Sequence, residues 1–154
     1  MALFDIETAI DPAKTVTPAG DDYVPCFDES TKSAGKLFYS AMGKVYLNVR
    51  IPDISTAGSD WVVSPVAGTI TKIWSVIHGT IATADAGLSF ELGGTAITGG
   101  GITVAYSGSA AGDVDSATPT ALNTVAAGGA IECITDGAST NAIPCDLTIE
   151  ITPA

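Results

Sequence analysis

Glutamine is absent from the 154-residue chain, and arginine and histidine occur once each, as Arg50 and His78. Six lysines and arginines face 17 acids, a net charge of −11. Duplex nucleic acid is excluded as a partner, because binding it requires enough cations to displace its counterions. An anionic membrane leaflet repels the same surface. With one histidine, a nucleophile relay has a single candidate base. His78 ends a strand pattern and precedes Gly79, so a structural or edge position is expected in place of catalysis. The three cysteines, Cys26, Cys133 and Cys145, form no Cys-x-x-Cys pair, which argues against a disulfide framework and a zinc site. Free, partly buried thiols in a reducing compartment are expected, with Cys133 and Cys145 able to face each other across a hairpin.

Paired glycosidase carboxylates need only two acids ~5–9 Å apart in the fold, which sequence does not exclude. Such sites usually sit in aromatic-rich clefts, however, and aromatic residues make up only 6% of the chain. No apolar run approaches the ~18 residues of a membrane helix. The opening Met-Ala-Leu-Phe-Asp-Ile-Glu has neither the basic nor the apolar region of a signal peptide, and none is expected. Gly93-Gly94 and Gly99-Gly100-Gly101 precede strand patterns instead of a helix, so they form no phosphate cradle. Asp113-Val114-Asp115 lacks the further oxygen ligands of a calcium loop and reads as a solvated turn. No enzyme activity, cofactor or metal is expected.

What is present is a period of two. Val45, Leu47, Val49 and Ile51 alternate with Tyr46, Asn48 and Arg50, and Pro52 ends the run. Trp61–Val63 is a second extended segment. Ile70–His78 is a long third one, with Ile70, Trp74 and Val76 on one parity and Ile73 and Ile77 on the other. Leu88, Phe90 and Leu92 share a face, and Gly93-Gly94 signals a hairpin back through Thr95–Thr98. Ile102–Tyr106 continues. Residues 107–129 form a long small-residue connection, with a short helix possible near Pro119–Val125. Ile131, Cys133 and Thr135 make another strand, Asp136-Gly137 turns it, and Leu147, Ile149 and Ile151 close the domain. The expected fold is all-β: an antiparallel β-sandwich, jelly-roll-like, over residues 41–154. Trp61 and Trp74 by default fill its core; the alternative is a subunit interface, where tryptophan is enriched.

Residues 1–40 differ. Asp11-Pro12, Thr17-Pro18 and Val24-Pro25 push the chain towards extended geometry. The sparse apolar residues, Leu3, Phe4, Ile6, Ile10, Tyr23 and Phe27, cannot form a core alone. An extended N-terminal arm is expected. Residues 1–60 carry nine acids and five bases (−4), and residues 61–154 carry eight acids and only Lys72 (−7). The early bases either serve solubility or pair with an acidic partner.

The phrases Ser64-Pro65-Val66-Ala67-Gly68-Thr69-Ile70-Thr71-Lys72-Ile73, Gly79–Ala86, Gly108–Val114, Asn123–Gly128 and Thr135–Thr140 together resemble small virion proteins of tailed bacteriophages. Those proteins look like capsid decoration, or cement, proteins with a jelly-roll body. The similarity covers about residues 61–152 and rests on turn and loop phrases. It implies a homotrimer on the outer capsid surface of the virion, bound to the major capsid protein and locking neighbouring capsomers. On that reading, Phe4, Ile6, Ile10, Tyr23 and Phe27 are contacts of the arm with capsid or neighbour, and Trp61, Trp74 and Ile77 belong to a subunit interface. The alternative is a receptor- or glycan-binding sandwich module of a fibre or cell surface, using loops such as 107–129.

Overall fold

The structure, a computed structural model, describes residues 43–154. The arm residues Phe4, Ile6, Ile10, Tyr23 and Phe27 lie outside them.

Ten strands follow one another: β1 (Val45–Ile51), β2 (Gly58–Val63), β3 (Gly68–Ile77), β4 (Ala86–Leu92), β5 (Thr95–Ala96), β6 (Ile102–Val104), β7 (Val114–Ala117), β8 (Thr124–Val125), β9 (Ala130–Thr135) and β10 (Cys145–Pro153). They form two five-stranded antiparallel sheets. The first has the order β1-β10-β3, with β7 and β8 pairing successive stretches of β3's far edge. The second has the order β2-β9-β4, with β5 and β6 sharing the far edge of β4 in the same way. Taken as one interrupted strand each, β5/β6 and β7/β8 complete an eight-stranded jelly roll, two Greek keys wound into two sheets.

The core lies between the sheets. Val49, Ile51, Ile70, Ile73, Ile77, Leu147, Ile149 and Ile151 come from the first sheet; Leu88, Phe90, Ile102, Val104, Ile131 and Cys133 come from the second. These positions alternate with outward ones along each strand, as a pleated sheet with one dry face requires. Phe90, at 1% exposure, is the one aromatic side chain buried among the described residues. Branched aliphatics otherwise fill the space, consistent with their fit to pleated surfaces.

One irregularity sets the register of β3. Lys72 pairs with Glu150 and Ile70 with Ile151, so Thr71 has no partner and forms a β-bulge. A bulge reverses which face later residues occupy. Ile70 and Ile73 therefore both enter the core, and Ile70 does not share a face with Trp74 and Val76 as unbroken alternation implies. Asn123 braces the bulge from the neighbouring edge. Its Nδ2 donates to the Ile70 carbonyl at 2.7 Å, and its own carbonyl accepts from Ile70 N–H at 2.9 Å. That brace separates β7 from β8. The short helix possible near Pro119–Val125 does not form: Thr120 and Ala121 bond to Thr98, and Thr124–Val125 are β8, paired with β3.

Gly93 and Gly94 have φ of +58° and +77°, the paired left-handed conformation of a two-residue hairpin, and they join β4 to β5 directly. Asp136-Gly137 also bends the chain, with Gly137 at φ +66° and Asp136 Oδ1 accepting from Ala138 N–H at 3.0 Å. It opens a crossing to the other sheet, not a hairpin, because β9 pairs with β2 and β4 whereas β10 pairs with β1 and β3.

Two substitutions probe this core. Phe90→Ala is expected to cost about 3–5 kcal/mol in urea unfolding, since no aromatic neighbour shares its volume. Ser75 is 2% exposed and its hydroxyl has no hydrogen-bond partner among the described residues. Ser75→Ala is therefore expected to stabilise the fold by about 1 kcal/mol by removing a buried, unsatisfied group.

Candidate functional site

The outward residues of the sandwich make two faces with different chemistry. On the first sheet, Tyr46 and Glu150 stand opposite each other, as do Asn48 and Thr148, and Arg50 and Asp146. Beyond β10, Thr148 faces Trp74, which faces Ser116; Val76 faces Val114. Opposed residues in an antiparallel pair point to the same side. Trp74, Val76 and Val114 therefore form an outward apolar strip, with Val114 61% exposed and Trp74 half-buried.

Polar groups beside this strip are internally satisfied. Glu150, 6% exposed, accepts from Lys44 Nζ at 2.7 Å, Thr71 Oγ1 at 2.7 Å and Tyr46 Oη at 3.1 Å. The Lys44 ammonium holds the Glu150 carboxyl below its usual range, helped by the two hydroxyls and opposed by burial. Glu150 in turn raises Lys44. Asp146 binds Arg50 Nη1 at 3.2 and 3.3 Å and lies 2.7 Å from His78 Nε2. Lys72 Nζ donates to Thr118 Oγ1 at 3.1 Å. The three basic side chains among the described residues, Lys44, Arg50 and Lys72, are thus all engaged on this face. His78 is exposed and its acid partner is shared with Arg50, a surface cluster where β1 and β3 end beside the start of β10.

The second sheet's outer face is organised differently. Trp61, 61% exposed on β2, stands opposite Glu132 on β9, which stands opposite Glu91 on β4. One step along, Ile134 lies between Ser59 and Ser89; on the other side Val63, 58% exposed, faces Ala130. No ion pair among the described residues involves Glu91 or Glu132.

Two shallow depressions lie on the surface. One, of about 200 Å³, is lined by Ser107, Ser109, Asp113 and Asp115; the other, of about 360 Å³, lies beside Pro52, Asp53, Thr56 and Asp60. Asp113 Oδ2 accepts from Ala110 N–H at 2.7 Å and so closes its own turn. Burial, with Asp113 nearby, raises the Asp115 carboxyl. Asp53 is held low by the Ser55 hydroxyl and N–H and by the Thr56 hydroxyl. No group of three or more His, Cys, Asp or Glu among the described residues is placed to hold a metal.

Both tryptophans point outward, against the default that they fill the core. Ile77 is 1% exposed and sits inside the sandwich. Cys133 and Cys145 are buried, free and on strands that do not pair with each other, so they do not face across a hairpin. Burial pushes the Cys133 thiol up to about 12 and the Cys145 thiol up to about 11. Sequence reading did not assign an outward surface role to Tyr46, Val63 or the Glu91–Glu132 pair, and it read Val114 as part of a solvated turn. Each is defined by its cross-strand neighbour, which no local pattern announces. Compared with protein-family models and with curated proteins, the chain matches none.

In a Cys26→Ser background, both remaining thiols are expected to resist iodoacetamide at pH 8 in the folded chain and to react fully in urea, because only the thiolate attacks. The Glu150–Lys44 pair has a defined pH window. Glu150 is depressed, so its contribution is present above its ordinary pKa of 4.5 and fades as pH falls through the lowered folded value. Lys44 is raised, so its contribution is present below 10.5 and fades as pH rises through the raised folded value. The destabilisation caused by Glu150→Gln in urea titrations is therefore expected to be largest near neutrality and to shrink towards pH 3.

Proposed function

We propose that the chain is a non-enzymatic virion structural protein, a capsid decoration protein that binds the outer surface of a tailed-phage capsid and bridges neighbouring capsomers. The observation that carries this reading is the outward placement of both tryptophans, one on each outer face of a jelly roll whose core is complete without them. Large exposed apolar side chains on rigid strands suit adhesion, since a few aromatic anchors supply most of the energy of an interface. The turn and loop phrases that resemble phage decoration proteins support the same assignment, as does the use of jelly rolls in viral shells.

In this mechanism three sandwiches associate through the strip of Trp74, Val76 and Val114 on the outer face of β3 and β7. The ion cluster of Arg50, Asp146 and His78 flanks the strip and fixes orientation more than affinity. The arm, with Phe4, Ile6, Ile10, Tyr23 and Phe27, reaches a neighbouring subunit or the major capsid protein, and the partners are that shell protein and two further copies.

Analytical ultracentrifugation is expected to give a trimer, and Trp74→Ala to raise its dissociation constant about 30-fold or more, as loss of a ~2 kcal/mol anchor requires. Co-sedimentation with cognate empty capsids tests the assignment itself; a folded chain that leaves every capsid bare at micromolar concentration ends it. Deleting residues 1–40 is expected to leave a folded body with reduced capsid occupancy, and unchanged occupancy would discard the arm as an anchor.

A further inference from the structure

The outer face of β2, β9 and β4 contains a cost that no ion pair among the described residues relieves. Glu132 stands directly opposite Glu91 on the adjacent strand, and like charges so placed repel. Trp61 stands opposite Glu132 on its other side and is 61% exposed, with Val63 at 58% one row away and Ile134 half-buried in the next. The three described cations are occupied on the opposite sheet, with Glu150, Asp146 and Thr118.

We propose that this face is the docking surface for a basic segment of a different protein, whose arginine or lysine lies on the Trp61 ring and is held by Glu132 and Glu91. An indole face attracts a cation, most strongly once water is displaced. Side chains opposed across a ladder are about 4.5–5.5 Å apart at Cβ, a spacing that a guanidinium's forked donors can span. Val63 and Ile134 supply an apolar rim for the aliphatic stem. A second copy of this chain is a poor occupant: its net charge is −11, and two of its three described cations, Lys44 and Arg50, are already paired with carboxylates. The occupant is therefore a basic partner. This deepens the adhesive reading by giving the partner's chemistry, yet it can fail alone.

The test follows the two indole N–H signals of the ¹⁵N-labelled full chain by NMR, assigned with Trp61→Phe. The probe is acetyl-tetra-arginine amide at about 20 mM salt, where exposed charges are weakly screened. The Trp61 signal is expected to move saturably while Trp74, on the opposite sheet, does not. Raising salt to about 150 mM should weaken binding several-fold. The double variant Glu91→Gln/Glu132→Gln should weaken it about 10-fold or more, as the loss of two counter-charges implies. That variant removes a repulsion and should unfold no earlier than the parent in urea, so lost binding will not reflect lost fold. Equal movement of both indoles, or an unchanged response in the double variant, overturns the proposal. A Trp61 signal displaced by Lys14→Gln/Lys32→Gln/Lys36→Gln without peptide overturns it too, because the chain's own lysines would then be the occupant. Capsid binding without a peptide response removes this surface and leaves the decoration reading intact. A peptide response in a chain that ignores capsids supports the surface and removes the capsid.

Discussion

Everything in the described domain depends on β10 lying between β1 and β3. Its inward residues Leu147, Ile149 and Ile151 are fully buried, and its two edges pair with strands about seventy and a hundred residues earlier in the chain. The first sheet cannot close until the last segment arrives. Folding is therefore governed by non-local pairing, the slow regime of β-topologies. Until β10 docks, β1 and β3, which carry Val49, Ile73 and Ile77, each have an unpaired edge, so the chain is most exposed to misassociation during that interval. The buried Glu150 belongs to the same closure. Its ligands Lys44, Tyr46 and Thr71 come from both flanking segments, so the carboxylate is satisfied only when all three strands are in register.

The two outer faces divide the work of the surface. On the first sheet, cations and carboxylates neutralise one another around a hydrophobic strip, leaving a face with little unpaired charge. Such a face suits self-association, because copies of a −11 chain approach one another only where local charge is cancelled. On the second sheet, the carboxylates stand beside an exposed indole and no described cation, which suits a partner of opposite sign. On the proposed reading, one scaffold offers two kinds of contact back to back, about the thickness of a sandwich apart.

Much of this architecture is legible in the chain itself, and the exceptions share a cause. The strands β1, β4, β9 and β10 each bury one face, so their alternation shows directly, and Gly93-Gly94 marks the β4–β5 hairpin through its left-handed backbone. The orientation of β3 is not visible locally, because the bulge at Thr71 is set by its pairing with β10 and by Asn123 from the far edge. β7 and β8 are short and rich in small residues; they are strands because the edge of β3 needs partners, and their own composition suggests a loop. Trp61 and Trp74 follow the same rule. β2 has apolar residues on both parities, Val62 against Trp61 and Val63, and only its register with β9 decides that Val62 turns in and Trp61 turns out. Asp136-Gly137 signals a bend correctly without revealing that the chain changes sheets there.

The broken strands have a bearing on polymerisation. At one margin of each sheet the ladder is cut into pieces of two to four residues, β5 with β6 and β7 with β8. Asp115 on β7 lies on the inward parity of its strand, opposite the buried Ser75, and a charge so placed discourages strand addition. A foreign strand seeking a continuous row of backbone donors and acceptors finds none along these margins. Among the described residues, the uninterrupted flank of each sheet is the β1 or β2 side, so runaway fibril growth, which needs two open ends per sheet, is disfavoured even at high local concentration.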